Sequence, residues 1–294
     1  MPDNANTVTT EVAQADPARH AATARLPAPA RLLVAQIGYQ IRQMLANGRT
    51  LAIGIGLPVI LLVASKGKGG TPDVAGYAAF GLTITAWASY GVRLVAARES
   101  GLLKRWRASP LPRWCYFAGA IVATTLTAVI AGAVAVVVAL VLWGSHFDAG
   151  RSIQFTGRSA AALLIVFALA ALAWASAVTA VTSIVPSVEA AFPTLTLIYF
   201  PLVIISGVLF SLNEPHWLST LVSYLPAQPM IDAATNSVRH GPGVPFIPGR
   251  DAAVLAAWAA GGLLVAIVTF RWEPHRPRGH AGTRPARAAR PDVG

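Results

Sequence analysis

Charge is scarce in this chain. Of 294 residues, 23 are basic and 12 acidic, a share of 12% where a soluble globular protein carries about 25%. That is too little to solvate a surface of this size. Cysteine is almost missing as well: Cys115 stands alone, which excludes an intrachain disulfide and leaves the redox compartment open. What is abundant is apolar. Hydrophobic residues make up 55%, the mean hydropathy is +0.57, and the few charges sum to +11. Disordered, collagenous and disulfide-scaffold classes are therefore excluded. Nucleic-acid binding needs positive charge spread over a folded soluble surface, and here the charges fall between long apolar runs.

Uncharged gaps separate Arg49 from Lys66, Asp73 from Arg93, Arg113 from Asp148, Arg158 from Glu189, Glu189 from Glu214, and Asp251 from Arg271. A spanning helix needs roughly 20 predominantly apolar residues. The gaps predict an all-α, polytopic membrane protein with about six transmembrane helices, near 50–65, 74–96, 114–143, 159–184, 191–211 and 251–271. The first is short: it spans only if Arg49 and Lys66 snorkel to opposite interfaces, and otherwise it is a re-entrant or interfacial segment.

Basic residues set the orientation. Seventeen of the 23 fall before the first span, between spans two and three (Arg93 to Arg113), or after the last span. The positive-inside rule makes those three regions, and so both termini, cytoplasmic, in a cell inner (plasma) membrane. Residues 1–29 are polar with no apolar core, which is unlike a cleavable signal peptide. Residues 273–294 are rich in Pro, Arg and Gly. Both ends read as disordered cytoplasmic tails flanking a membrane domain over 30–272, and the basic one can touch anionic lipid or stay solvated.

In Ala30 to Gly48, Leu33, Ile37, Ile41 and Met44 or Leu45 recur at helical steps, with Gln36, Gln40 and Gln43 on the other face. This predicts an amphipathic helix along the cytoplasmic interface. Cys115, between Trp114 and Tyr116, reads as part of an interfacial belt. His216 to Pro226 and Pro229 to Val238 are too short to span and predict a re-entrant helical pair in the outer leaflet.

The loop from Arg98 to Arg113 predicts a short cytosolic helix. Glu99 and Ser100 favour an N-terminus, Lys104, Arg105 and Arg107 suit the C-terminal end, and Ser109-Pro110 stops it. Leu102, Leu103 and Trp106 give it an apolar stripe, for lipid headgroups or for a groove on a soluble partner.

Glu189, between spans four and five, either caps the fifth span at the inner interface or serves as a buried carboxylate for protons or cationic cargo. Pro193, Pro201 and Gly207 mark a gate or kink in the fifth span, or ordinary membrane-helix usage. No other ionisable residue is plainly intramembrane, which argues against an ion-coupled carrier.

Catalytic patterns are missing. Gly67-Lys68-Gly69-Gly70 lacks phosphate-loop spacing, the six histidines are scattered without metal-ligand spacing, and there is neither a GxSxG elbow nor a paired-carboxylate cluster. Nothing points to an enzyme or to a metal.

ArgGluSerGlyLeuLeuLysArgTrpArgAlaSerProLeuPro (98 to 112), followed by an aromatic-rich span start, resembles the cytoplasmic loop of type-2 ATP-binding-cassette (ABC) exporter permeases, within them most nearly the daunorubicin-resistance group of drug exporters. A second likeness runs from Pro186-Ser-Val-Glu-Ala-Ala191 through Phe200-Pro-Leu-Val203 and Ser206-Gly-Val-Leu-Phe210 to Tyr224-Leu-Pro226. The segments Ser211-Leu-Asn-Glu-Pro215 and Ala227-Gln-Pro229 depart from the family pattern and bear on the outer gate. The resemblance implies a permease subunit, paired with itself or a relative in a homodimer or heterodimer, carrying two ABC ATP-binding subunits. No cofactor is expected on this chain; ATP and Mg2+ belong to the partner ATPase. It further implies that Arg98, Glu99, Gly101, Leu102, Leu103, Lys104, Arg105, Trp106 and Arg107 couple to that ATPase. The cargo would be an amphipathic drug- or antibiotic-like molecule or a lipid. A polysaccharide or glycolipid exporter of the same family, and a polytopic membrane enzyme or scaffold, are the alternatives.

Overall fold

Lipid offers the backbone no hydrogen bonds, so an apolar chain of this kind must satisfy its own peptide groups, and helices do so within one segment. The computed structural model describes residues 29–48, 52–66, 74–102, 113–144, 155–206, 216–238 and 247–269. Among these there are helices and no strand. Helix α1 is Pro29–Ala46. A π-helical turn, Ala52–Gly56, leads into α2, Leu57–Lys66. Helix α3, Val74–Ile84, passes through a second π-helical turn, Thr85–Ser89, into α4, Tyr90–Glu99. Then follow α5 Arg113–Trp143, α6 Gly157–Val181, α7 Val188–Ile205, α8 His216–Val222, α9 Ala227–Val238 and α10 Gly249–Thr269.

Four of these, α5, α6, α7 and α10, are long and apolar enough to cross a membrane on their own. Helices α3 and α4 join them in a different way. The residues flanking their π turn keep right-handed helical dihedrals, φ −64° and ψ −34° at Ile84 and φ −73° and ψ −44° at Tyr90, so α3, the turn and α4 form one unbroken rod.

Helix α6 is the hub. Trp174 and Phe167 are fully buried, and alanines 162, 170, 171, 173, 175 and 177 let neighbouring backbones approach. Small residues have this use where lipid gives apolar side chains no reason to cluster. Helix α10 meets α6 along one seam, Leu255, Ala259, Gly262 and Ala266, spaced by four, three and four residues. Its remaining faces look outward, with Val268 83% exposed. Gly262 is the closest point: a Cβ there would lie 2.7 Å from the Ala177 nitrogen and from the Ser176 carbonyl carbon. Gly262 thus has its partner inside the same chain.

Helix α1 packs on α5 through a side that mixes the apolar stripe with two glutamines. Gln36, Gln40 and Met44 are buried, Leu33, Ile37 and Ile41 are half-buried, and Val34, Tyr39 and Leu45 are exposed. Burial leaves the Gln36 Nε2 without a hydrogen-bond partner among the described residues. Gly119 of α5 makes room, since a Cβ there would sit 2.7 Å from Gln36 Cγ. Of the aromatic belt at the start of α5 only Trp114 is exposed; Cys115 and Tyr116 are buried. Helices α8 and α9 form the short pair before α10. Helix α9 is wedged against α6, α10 and α3 and buries Met230, Ala233 and Ala234.

A test of the α6–α10 seam follows. Gly262→Val should lower the thermal midpoint of the detergent-solubilised protein through an overpacking cost of about 1–3 kcal/mol, because backbone atoms stand in the way. Gly261→Val, next to it with nothing within 4 Å of the added Cβ, should leave the midpoint in place. Equal effects would disprove the seam.

Candidate functional site

The charged loop begins where α4 ends. Ser100 N donates to the Ala96 carbonyl at 2.9 Å and closes the helix, and Gly101 then takes φ +73° with its N–H on the Arg98 carbonyl at 3.3 Å. A left-handed residue just past a helix end is the conformation for which glycine is favoured. Glu99 is therefore the last residue of α4, not the first of a loop helix, because the chain turns at Gly101 and not before Arg98.

At this end two adjacent side chains reach across to one turn. Arg98 is 1% exposed; its Nη1 donates to the Thr182 carbonyl at 3.0 Å and its Nη2 to the Val185 carbonyl. Those carbonyls lie just past the end of α6, where a helix presents unpaired oxygens and partial negative charge. Glu99 Oε2 accepts the Val188 N–H at 2.6 Å, the first N–H of α7, where the partial charge is positive. Ser187 completes that end by accepting the Ala190 N–H at 3.3 Å. Burial pushes the Arg98 guanidinium below its usual pKa and the Glu99 charge raises it in part, yet an arginine keeps its proton. The cation thus holds a helix C-terminus and the anion a helix N-terminus, across the single turn 182–188.

The sequence-predicted residues separate accordingly. Arg98 and Glu99 form the clamp, and Gly101 and half-buried Leu102 lead away from it. Leu103, Lys104, Arg105, Trp106 and Arg107 lie outside the described residues. Glu189 is in the first turn of α7 and exposed, while Ser187 and Glu99 supply the caps. Pro193 and Pro201 lie inside α7, which continues through both; Gly207 lies outside the described residues. The clamp itself escaped the sequence reading. The signal was an Arg-Glu pair followed closely by glycine at the end of one apolar run, with Pro186-Ser187-Val188-Glu189 at the join of two others.

Further polar ties bind the same helices at greater depth. Trp87 Nε1 donates to the Leu195 carbonyl at 3.0 Å, Thr83 Oγ1 and the Tyr199 hydroxyl lie 2.8 Å apart, and Thr179 Oγ1 is 3.3 Å from the Tyr90 hydroxyl. Trp174 stands edge-on to both Trp87 and Tyr199, with centroid distances of 5.5 and 6.2 Å.

Two apolar crevices flank the α6–α10 seam. One, of about 890 Å³, lies between α5, α6 and α10 and includes Phe117, Ile121, Leu172, Ser176, Thr179 and Leu263. The buried Ser176 hydroxyl has no hydrogen-bond partner among the described residues. The other, of about 560 Å³, has Trp87, Trp174, Ile198, Trp258 and Gly261 among its walls. No group of three His, Cys, Asp or Glu that could hold a metal occurs among the described residues.

The family described as ABC-2 family transporter protein matches residues 7–268. No curated protein matches the chain.

Arg98→Ala takes the guanidinium from two turn carbonyls, leaving that of Thr182 with only the Val185 N–H at 3.3 Å. It should cost about 1.5–3 kcal/mol, the range for hydrogen bonds to a charged group, and Glu99→Gln, which keeps shape but not charge, should cost less. Thermal unfolding in detergent reads both. An Arg98→Ala protein as stable as the parent would remove the clamp.

Proposed function

Because the chain belongs to the ABC-2 family of transporter proteins, we propose that it is the membrane-spanning permease of an ATP-driven exporter. Two such subunits, identical or closely related, pair in the membrane and carry two ATP-binding subunits on the cytoplasmic side. ATP and Mg2+ are held by those partners, which perform the hydrolysis. Each permease crosses a cell's inner (plasma) membrane six times, with α2 and the α3–α4 rod adding to the four long helices and α8 and α9 re-entering from the outer leaflet. The distribution of basic residues supports cytoplasmic termini.

One observation carries the mechanism: the last two residues of α4, just before the loop, grip the turn that joins α6 to α7. The ATPases meet the segment from Arg98 to Arg107, together with α1. Closure of the ATPase dimer displaces that segment, and the Arg98–Glu99 clamp passes the displacement to the inner ends of α6 and α7 together. Pro193 and Pro201 in α7, with Gly207 following in sequence, are where the fifth span yields and opens the path. Nucleotide drives the change only through contacts that differ between the two states, and a rigid clamp lets a contact at the membrane surface bias packing inside it. The cargo is an amphipathic small molecule, drug- or antibiotic-like, or a lipid. The 890 Å³ crevice supports this reading: its size suits a drug-sized ligand, and its apolar walls carry the Ser176 and Thr179 hydroxyls.

Replacing Lys104, Arg105 and Arg107 together by Ala should leave membrane insertion intact and abolish substrate-stimulated ATPase activity in the reconstituted complex. Normal stimulation would sink the coupling assignment.

A further inference from the structure

Arg93 lies one turn above the clamp on α4, half-buried. Its Nε donates to the Ser89 carbonyl of its own helix at 3.2 Å, and its guanidinium carbon stands 5.9 Å from the centre of the Tyr90 ring. No carboxylate pairs with it among the described residues. The nearest by position in the fold are taken or turned away: Glu99 is bound to the Val188 N–H, and Glu189 is exposed on α7. A buried charge costs free energy unless an opposite charge meets it.

The space beside it is a cavity of about 240 Å³ between α1, α4 and the start of α5. Its polar lining is Arg93, Gln40, Gln43, Ser100, Tyr90 and Tyr116, with the Tyr116 hydroxyl hydrogen-bonded to Gln40. All of these can donate, and the only formal charge is positive. The volume is below that of drug-sized sites, about 300–1,000 Å³, so a headgroup fits where a whole cargo molecule does not. Helix α1 closes one side while exposing Val34 and Leu45, apolar surface along which acyl chains can lie.

We propose that this cavity binds the phosphate of an anionic phospholipid of the inner leaflet, with Arg93 as its counter-charge. The guanidinium fork matches phosphate oxygens, and basic pockets between spanning helices on the cytoplasmic side take anionic headgroups. The choice of leaflet rests on the orientation proposed above. The bound lipid pins α1 to α4.

The full chain is reconstituted in phosphatidylcholine vesicles, and its preference for spin-labelled phosphatidylglycerol over spin-labelled phosphatidylcholine is measured. The parent should prefer the anionic lipid, and Arg93→Gln should reduce that preference about fivefold, the weight of one basic residue near an anionic surface. Arg93→Lys should retain part of it. Gln43→Glu, at an exposed position that does not threaten folding, should abolish it by supplying a carboxylate to Arg93. Arg250→Gln, which removes an exposed arginine bound to Ser223 at the other end of the bundle, should change nothing, and excess inorganic phosphate should compete no better than chloride of equal ionic strength. An unchanged preference in Arg93→Gln and Gln43→Glu, an equal loss in Arg250→Gln, or displacement by inorganic phosphate would overturn the lipid site. No ATPase enters the measurement, so its failure leaves the exporter reading standing, and failure of the loop substitutions leaves this one.

Discussion

Two helix ends of opposite polarity meet at residues 182–188, and the pair Arg98–Glu99 answers both. A helix leaves its last carbonyls and first N–H groups without intrahelical partners, and a tight turn between two helices brings both sets together. One cation and one anion, adjacent on a third helix, satisfy the set they suit. Either charge alone would leave half of the turn unserved. The pairing also offsets the unfavourable place of Glu99, a carboxylate at the negative end of its own helix.

From that point the three helices behave as one body, because ties recur along their length. Trp87 to Leu195, Thr83 to Tyr199 and Thr179 to Tyr90 join the α3–α4 rod to α7 and α6. Interhelical hydrogen bonds in membranes average only about 0.6 kcal/mol, so their number and placement matter more than any single one. They fix the rotation and height of each helix, which apolar packing between smooth alanine faces does not. Helix α10, held by the Gly262 seam and surrounded by outward-facing Leu264, Ile267 and Val268, is fixed by shape instead.

The helical class and the membrane character were legible in sequence because both rest on one quantity, the length of uncharged apolar runs. Face assignment was not. Gln36 and Gln40, assigned to the polar face of α1, are buried beside Met44, since amphipathicity says which residues are apolar but not where a neighbouring helix lies. Arg98 and Glu99 stood out as charges near the loop, but their partners are backbone groups 84 and 89 residues away, and backbone groups leave no mark in a sequence. In sequence Arg93 is one of the basic residues that set the orientation; only the packing of α1 and α5 shows that it borders a cavity.

The π-helical turn Thr85–Ser89 has a consequence of its own. A turn of this kind holds one residue more than an α turn, so every side chain beyond it is displaced by one position from the helical wheel that the preceding segment defines. At 3.6 residues per turn that offset is roughly 100° of rotation. Arg93, Arg98 and Glu99 owe their bearing to it: rewound as uninterrupted α-helix, the same sequence would aim Arg98 a quarter-turn or more away from the Thr182 carbonyl. Deleting a single residue within 85–89 would remove that extra residue, so the rod would run as regular α-helix with Arg98 still on its bearing, whereas a deletion between 90 and 97 would swing it about 100° away.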